Sequence, residues 1–214
     1  MDVREHWRTE HLQAAAYDFA VQHKPLARLG ARLLWSYDVR HLWRSIESLP
    51  RTLTLDVPCG GGLAIRDNPH HVAADLSPIM LARARRKNPT ALLQADITNL
   101  PFASSTFETC VTYNGLHCVE DPANAVAELA RVLRPGGTLH GTTVVRGTTR
   151  RHETLIALMR HLNLFGPSGT TSDLRGWLVS AGLTDIALTP SGAVTGFTAR
   201  KPPDIEDAAP SSIR

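Results

Sequence analysis

The stretch Leu53-Thr54-Leu55-Asp56-Val57-Pro58-Cys59-Gly60-Gly61-Gly62 decides the fold. Its first half is a short apolar, β-branched run of the kind that forms a buried strand. A carboxylate ends the run, and three glycines follow. Glycine turns tightly and lets the backbone come close to a ligand. In open α/β sheets, ligands bind outside the carboxyl ends of the strands, near the point where strand order reverses. The segment therefore predicts a first strand and a ligand-binding loop.

Two ligand classes suit such a loop. A dinucleotide wants GxGxxG, with a helix N-terminus facing its pyrophosphate. Ile65 stands where the third glycine of that fingerprint belongs, and Asp56 would set a negative charge beside the phosphates. S-adenosylmethionine (SAM) has no phosphate. Its amino group and sulfonium are cationic, so an acidic strand end suits it. A glycine turn with no ligand stays open on this loop alone. Two later carboxylates narrow the choice. Asp75 ends a second strand and can accept both hydroxyls of a ribose. Asp96 ends a third and can accept an adenine amino group, with Leu76 or Ile97 flanking the ring. Each is also an ordinary turn residue, but three acidic strand ends, one βα unit apart, seldom arise by chance.

Outward from the loop, strands are expected at 52–57, 70–75, 91–95, 108–113 and 137–145, with helices at 77–87 and 122–133. Ser77-Pro78 and Asp121-Pro122 pair an N-cap with a proline at the first helical position. Pro135-Gly136-Gly137 turns the second helix into a strand. A helix at 171–181, closed by Gly182, precedes strands at 183–189 and 193–200, joined by Pro190-Ser191-Gly192. The expected architecture is a doubly wound, mostly parallel, seven-stranded α/β sheet ending in an antiparallel hairpin. Helices precede it: Leu12, Ala15, Ala16, Phe19 and Ala20 recur at helical spacing, as do Leu26, Leu29, Leu33, Leu34, Tyr37, Leu42 and Ile46. The division is a helical cap at 1–50, a ligand-binding domain at 51–202 and a Pro-, Ala- and Ser-rich, frayed tail at 203–214.

The 214 residues suit one domain, and 43% hydrophobic with 20% charged residues is ordinary globular composition. The net charge is only +3. The basic runs at 83–87 and 146–151 lack interleaved aromatics and read as solvated surface, which argues against a nucleic-acid partner. Cys59, Cys110 and Cys118 are odd in number and show no CxxC spacing, so neither a disulfide framework nor a metal site is expected. A reducing cytoplasm is the expected setting. The charged N-terminus is unlike a secretory signal, and no apolar run approaches the ~18 residues of a membrane span.

LDVPCGGG (55–62), VAADLSPIMLARAR (72–85), LLQADITNLPFASSTFETCVTYNGLHCVEDP (92–122) and ELARVLRPGGTL (128–139) together resemble the class I SAM-dependent methyltransferases. More narrowly, they are similar to the type 11 branch that includes quinone-ring methyltransferases. The likeness runs through 51–202. It implies SAM as cofactor, S-adenosylhomocysteine (SAH) as product, and no metal. It also implies that Asp56, Gly60 and Gly62, with Cys59 and Gly61 of the same loop, line the methionine part of SAM. Asp75 would hold the ribose, Leu76 and Met80 would lie near the adenine, and Asp96 and Ile97 would contact it. Asn114 would meet the amino-acid portion.

His117 would lie near the methyl-transfer face and is the candidate base, since its ordinary pKa suits that role. Tyr17 and Tyr37, on the covering helices, are candidate walls of the acceptor pocket. A small organic acceptor and a possible homodimer complete the expectation. Three features depart from the pattern: Pro58 replaces a loop glycine, only a short helix fits between Gly62 and the second strand, and Glu108 stands where Asp is frequent. A non-catalytic SAM- or SAH-binding module, a SAM-fold enzyme with other transfer chemistry, and an RNA methyltransferase are the alternatives.

Overall fold

The computed structural model describes Val3, Glu5, Trp7, residues 23–66 and residues 68–204. Tyr17, the helical pattern from Leu12 to Ala20 and most of the tail lie outside the described residues. Seven strands form one sheet: β1 (Thr54–Asp56), β2 (His71–Asp75), β3 (Ala91–Gln94), β4 (Phe107–Tyr113), β5 (Leu133–Val144), β6 (Thr184–Ser191) and β7 (Val194–Arg200). Their order is β3-β2-β1-β4-β5-β7-β6. The first five run parallel; β7 runs antiparallel to both β5 and β6. This is the architecture expected from the sequence. Strand order reverses between β1 and β4, so the crevice for a ligand opens there.

Six α-helices whose bounds lie within the described residues accompany the sheet: α1 (Lys24–Trp35), α2 (Arg40–Glu47), α3 (Pro78–Ala84), α4 (Pro122–Val132), α5 (Arg150–His161) and α6 (Thr171–Ser180). The period-2 alternation of β4 divides the core. Cys110 faces one layer with Leu55, Leu139 and Phe197, under Leu129 of α4 and Leu174 and Leu178 of α6. Val111 and Tyr113 face the other, with Leu42 and Ile46 of α2 and Ile156 of α5. Each such fully buried aliphatic side chain stabilises the fold by about 1.5–3 kcal/mol.

Helix starts follow local chemistry. The Ser77 hydroxyl accepts from Met80 N–H, the Asp121 carboxylate from Asn124 N–H, and Thr170 with Asp173 completes a capping box. Helix α4 also pins the loop after β3. Glu128 accepts from Leu100 N–H, while Arg131 donates to the carbonyls of Leu100 and Phe102. Asn124 donates to the Thr98 carbonyl. These bonds hold the turn that carries Asp96 and Ile97.

Several local expectations are corrected. No described residue between 57 and 70 is helical, because the segment is too short to form a costly helical nucleus and still reach β2. Helix α5 lies in a stretch to which the sequence assigned no element; its buried residues are only His152 and Ile156, too thin a stripe to read by periodicity. The hairpin loop is shorter than Pro190-Ser191-Gly192, since Ser191 pairs with Val194 and only Gly192 and Ala193 turn. Pro190 is tolerated inside β6 because that strand is an edge. Leu26, Leu29, Leu33 and Leu34 recur at helical spacing as expected for a helix, and all four are exposed on α1, none of whose residues is fully buried. No helix among the described residues is long and apolar enough to cross a membrane.

Candidate functional site

A cavity of about 220 Å³ opens at the carboxyl ends of the parallel strands. Asp75 ends β2 at its rim. The carboxylate is buried and already oriented: Oδ2 accepts from Gly60 N–H at 2.8 Å and Oδ1 from Ser77 N–H at 2.8 Å. Burial pushes its pKa up to about 6, against the lowering effect of those two N–H donors. Each carboxylate oxygen keeps lone-pair capacity for a further donor. Asp96 lines the same cavity and is fixed by Thr98, whose N–H and hydroxyl both donate to its Oδ1 at 2.9 and 2.8 Å. Leu76, Met80 and Ile97 supply apolar wall.

Asn114 follows β4 in the left-handed region, with φ of 56°. Its N–H donates to the Thr142 carbonyl, and its side-chain carbonyl accepts from the Thr142 hydroxyl at 2.9 Å. The residue is thus tied to β5 and turns the chain across the cavity mouth. Pro58 and Gly115 meet beside it. A Cβ on Gly115 would collide with the Pro58 ring, so the proline in the loop is matched by a glycine across the crevice. The Val57–Pro58 peptide is cis.

Of the residues singled out by sequence, Gly60, Asp75, Leu76, Met80, Asp96, Ile97 and Asn114 come together on this cavity. Asp56, Cys59, Gly61 and Gly62 do not line it. Asp56 and Cys59 are buried beneath the loop. Gly62 serves packing: with φ of +83°, it lies where a Cβ would stand 2.8 Å from the Ile65 side chain and 3.3 Å from Ala84 of α3.

Two expectations are overturned. His117 does not reach the cavity. It is buried, its Nδ1 accepts from Val144 N–H at 3.2 Å, and its ring packs edge-on against Phe165. Burial pulls its pKa down to about 3, so at neutral pH it is an uncharged structural acceptor rather than a base. His117→Phe should therefore cost about 1–3 kcal/mol of stability, through the orphaned Val144 N–H. The pH profile of turnover should keep its shape, which a rate–pH series on the purified variant checks. Tyr37 belongs to the second core layer and borders a separate groove with Arg28 and Arg32. Burial pushes its hydroxyl up to about 12.

The cavity also holds residues that sequence reading missed. Trp7 forms a wall and donates its indole N–H to the Leu164 carbonyl at 3.2 Å. Cys118, Val119, Glu120, Asp121 and Asn124 line the side formed by the turn before α4. The Asp121-Pro122 cap was the available signal, since a helix start beside the β1–β4 crevice faces the ligand. No Lys, Arg or His lines the cavity among the described residues.

The fold and cavity define a class I methyltransferase-type domain. Residues 55–140 match the family model described as a methyltransferase domain. Among curated proteins, an uncharacterized chloroplastic methyltransferase of Arabidopsis thaliana is 31% identical over 70% of this chain and 47% of its own length. A demethylmenaquinone methyltransferase of Renibacterium salmoninarum is 34% identical over 44% of this chain and 42% of its own. The chain thus spans about half the length of the curated relatives it matches. Among solved structures, a SAM-dependent methyltransferase of Thermotoga maritima, described as a possible histamine N-methyltransferase, superposes with a TM-score of 0.67 at 17% identity. The match covers 86% of this chain and 98% of that one, and it shows the shared fold.

Proposed function

We propose that this protein transfers the methyl group of SAM to a small organic acceptor. The observation that carries the reading is the acceptor set of the cavity: carboxylates at the end of β2 and after β3, apolar walls, and no cationic side chain among the described lining residues. A ribose diol and an adenine amino group are donors that need acceptors, and the cationic sulfonium and amino group need negative surroundings. A phosphate-bearing dinucleotide would find no basic group among the described lining residues. When bound, SAM supplies a methyl group made electrophilic by its sulfonium.

The chain's own task is binding and alignment. Asp75 accepts from the ribose hydroxyls, and Asp96 from the adenine amino group, with Leu76, Met80 and Ile97 against the ring. Gly60 and Asn114 offer backbone to the amino-acid end. Trp7, Cys118 and Val119 form a wall suited to a flat, apolar acceptor, and they exclude water from the reacting atoms. With His117 engaged inside the core, no base is assigned, and an acceptor that is already anionic or readily ionised fits best. A quinone ring, as in the name of the Renibacterium relative, joins that chemical class only in its reduced, phenolic form.

Calorimetric titration with SAM, SAH and NAD tests the reading. Saturable binding of SAM and SAH without NAD supports it, and mass spectrometry of acceptor mixtures then identifies the methylated product. NAD binding, or no binding of SAM, refutes it. The affinity for SAM should also fall about tenfold per pH unit below about pH 6. Asp75 must be ionised to accept the ribose hydroxyls, and in the free protein it gains its proton near that pH. Asp75→Asn should remove that acid limb.

A further inference from the structure

Asp56 and His71 form a buried pair beneath the glycine loop. Each is 2% exposed. The Asp56 Oδ2 and the His71 Nε2 stand 3.5 Å apart, within ion-pair distance, and neither atom has a hydrogen-bond partner. Strand register brings them together. Thr54 pairs with His71 and Asp56 with Ala73, and alternate residues of neighbouring strands share a face. Opposite Asp56, Ala73 offers only a methyl group, so the imidazole can lean along β2 towards the carboxylate.

The surroundings give the pair a consequence. Burial raises the pKa of Asp56, and the imidazole acts against that rise. The Asp56 charge in turn pushes up Cys59, Asp75 and Tyr113, the titratable groups that face it from the loop, β2 and β4. All three become negative when they ionise, so none can offset the carboxylate. The imidazole is the one basic partner of Asp56 among the described residues.

We propose that His71 is a positioning residue for the cofactor: its Nε2–H holds the Asp56 carboxylate ionised and in place under the glycine loop, where that charge favours the sulfonium of SAM over the neutral thioether of SAH. The inference rests on the proposed SAM site, with the methionine end lying over Asp56. It assigns to His71 a share in distinguishing cofactor from product. A buried histidine that served packing alone would affect both ligands alike.

The test is calorimetric affinity for SAM and for SAH, measured on the full chain and on H71F, H71Q and D56N. Without the imidazole, Asp56 takes up a proton or swings away, and the SAM-to-SAH affinity ratio should drop about tenfold in H71F. Glutamine places an N–H donor near the Nε2 position, so H71Q should recover most of the ratio. D56N should match H71F, and the double variant should be no worse than either, since both act through one charge. Equal weakening of SAM and SAH in H71F, no recovery in H71Q, or additive losses in the double variant would each overturn the proposal. If H71F does not fold, the ratios of H71Q and D56N, read beside a thermal melt, still decide it. A native chain that binds neither ligand would instead overturn the SAM reading itself.

Discussion

Asp75→Ala should weaken SAM binding by at least about a hundredfold. The carboxylate is the only acidic group at the end of β2, and it is held in place by Gly60 N–H and Ser77 N–H. Hydrogen bonds to a charged acceptor contribute about 1.5–3 kcal/mol each, so loss of two from a ribose diol amounts to about 3 kcal/mol or more. Every 1.4 kcal/mol is roughly tenfold in affinity. The alanine also frees the Gly60 and Ser77 N–H groups and loosens the loop, which adds to the loss. Removing a buried carboxylate relieves a desolvation cost, so the effect on folding should be smaller than the effect on binding. Calorimetry beside a thermal melt separates the two. An Asp75→Ala protein that held SAM within threefold of the native affinity would disprove the proposed ribose contact.

The second large effect is expected at Gly62. Gly62→Val puts a β-branched side chain at φ of +83°, and its Cβ falls 2.8 Å from the Ile65 side chain, 3.2 Å from Lys87 and 3.3 Å from the Ala84 backbone. Backbone strain of this kind costs about 1–3 kcal/mol, and overpacking costs a further ~1–3 kcal/mol. For a domain of this size, the sum corresponds to a Tm lowered by roughly 5–25 °C. Helix α3 would be pushed from the loop, carrying Met80 away from the cavity. Gly60→Ala is the control. Gly60 also has positive φ, of 52°, but a Cβ there meets nothing within 4 Å, so strain alone remains. Equal melting temperatures for the two variants would refute the close-packing account of Gly62.

The two predictions mark the boundary between what sequence tells and what it does not. The carboxylates at Asp75 and Asp96 were legible because they end strands, and strand ends follow from local composition. The glycines were legible as a group, but their separate tasks were not. Gly60 lines the cavity and donates to Asp75, whereas Gly62 makes room for α3. That difference depends on which distant residue packs against each. His117 shows the same limit. Its position after β4 suggested a base, but Val144 and Phe165, far along the chain, turned it into a buried acceptor. Tyr37 was legible as a residue of a covering helix region, and its burial in the core behind the sheet was not.

By itself, the sequence determined the parallel sheet, its antiparallel finish, the helix caps and the acidic strand ends, because these depend on periodicity and short-range hydrogen bonding. Tertiary structure alone decided which side chains share the cavity. Trp7 arrives from the N-terminus, Gly115 is demanded by Pro58 some sixty residues earlier, and His71 meets Asp56 only through the register of two parallel strands. Contacts between residues far apart in the chain follow from how the layers pack, and no local pattern encodes that packing.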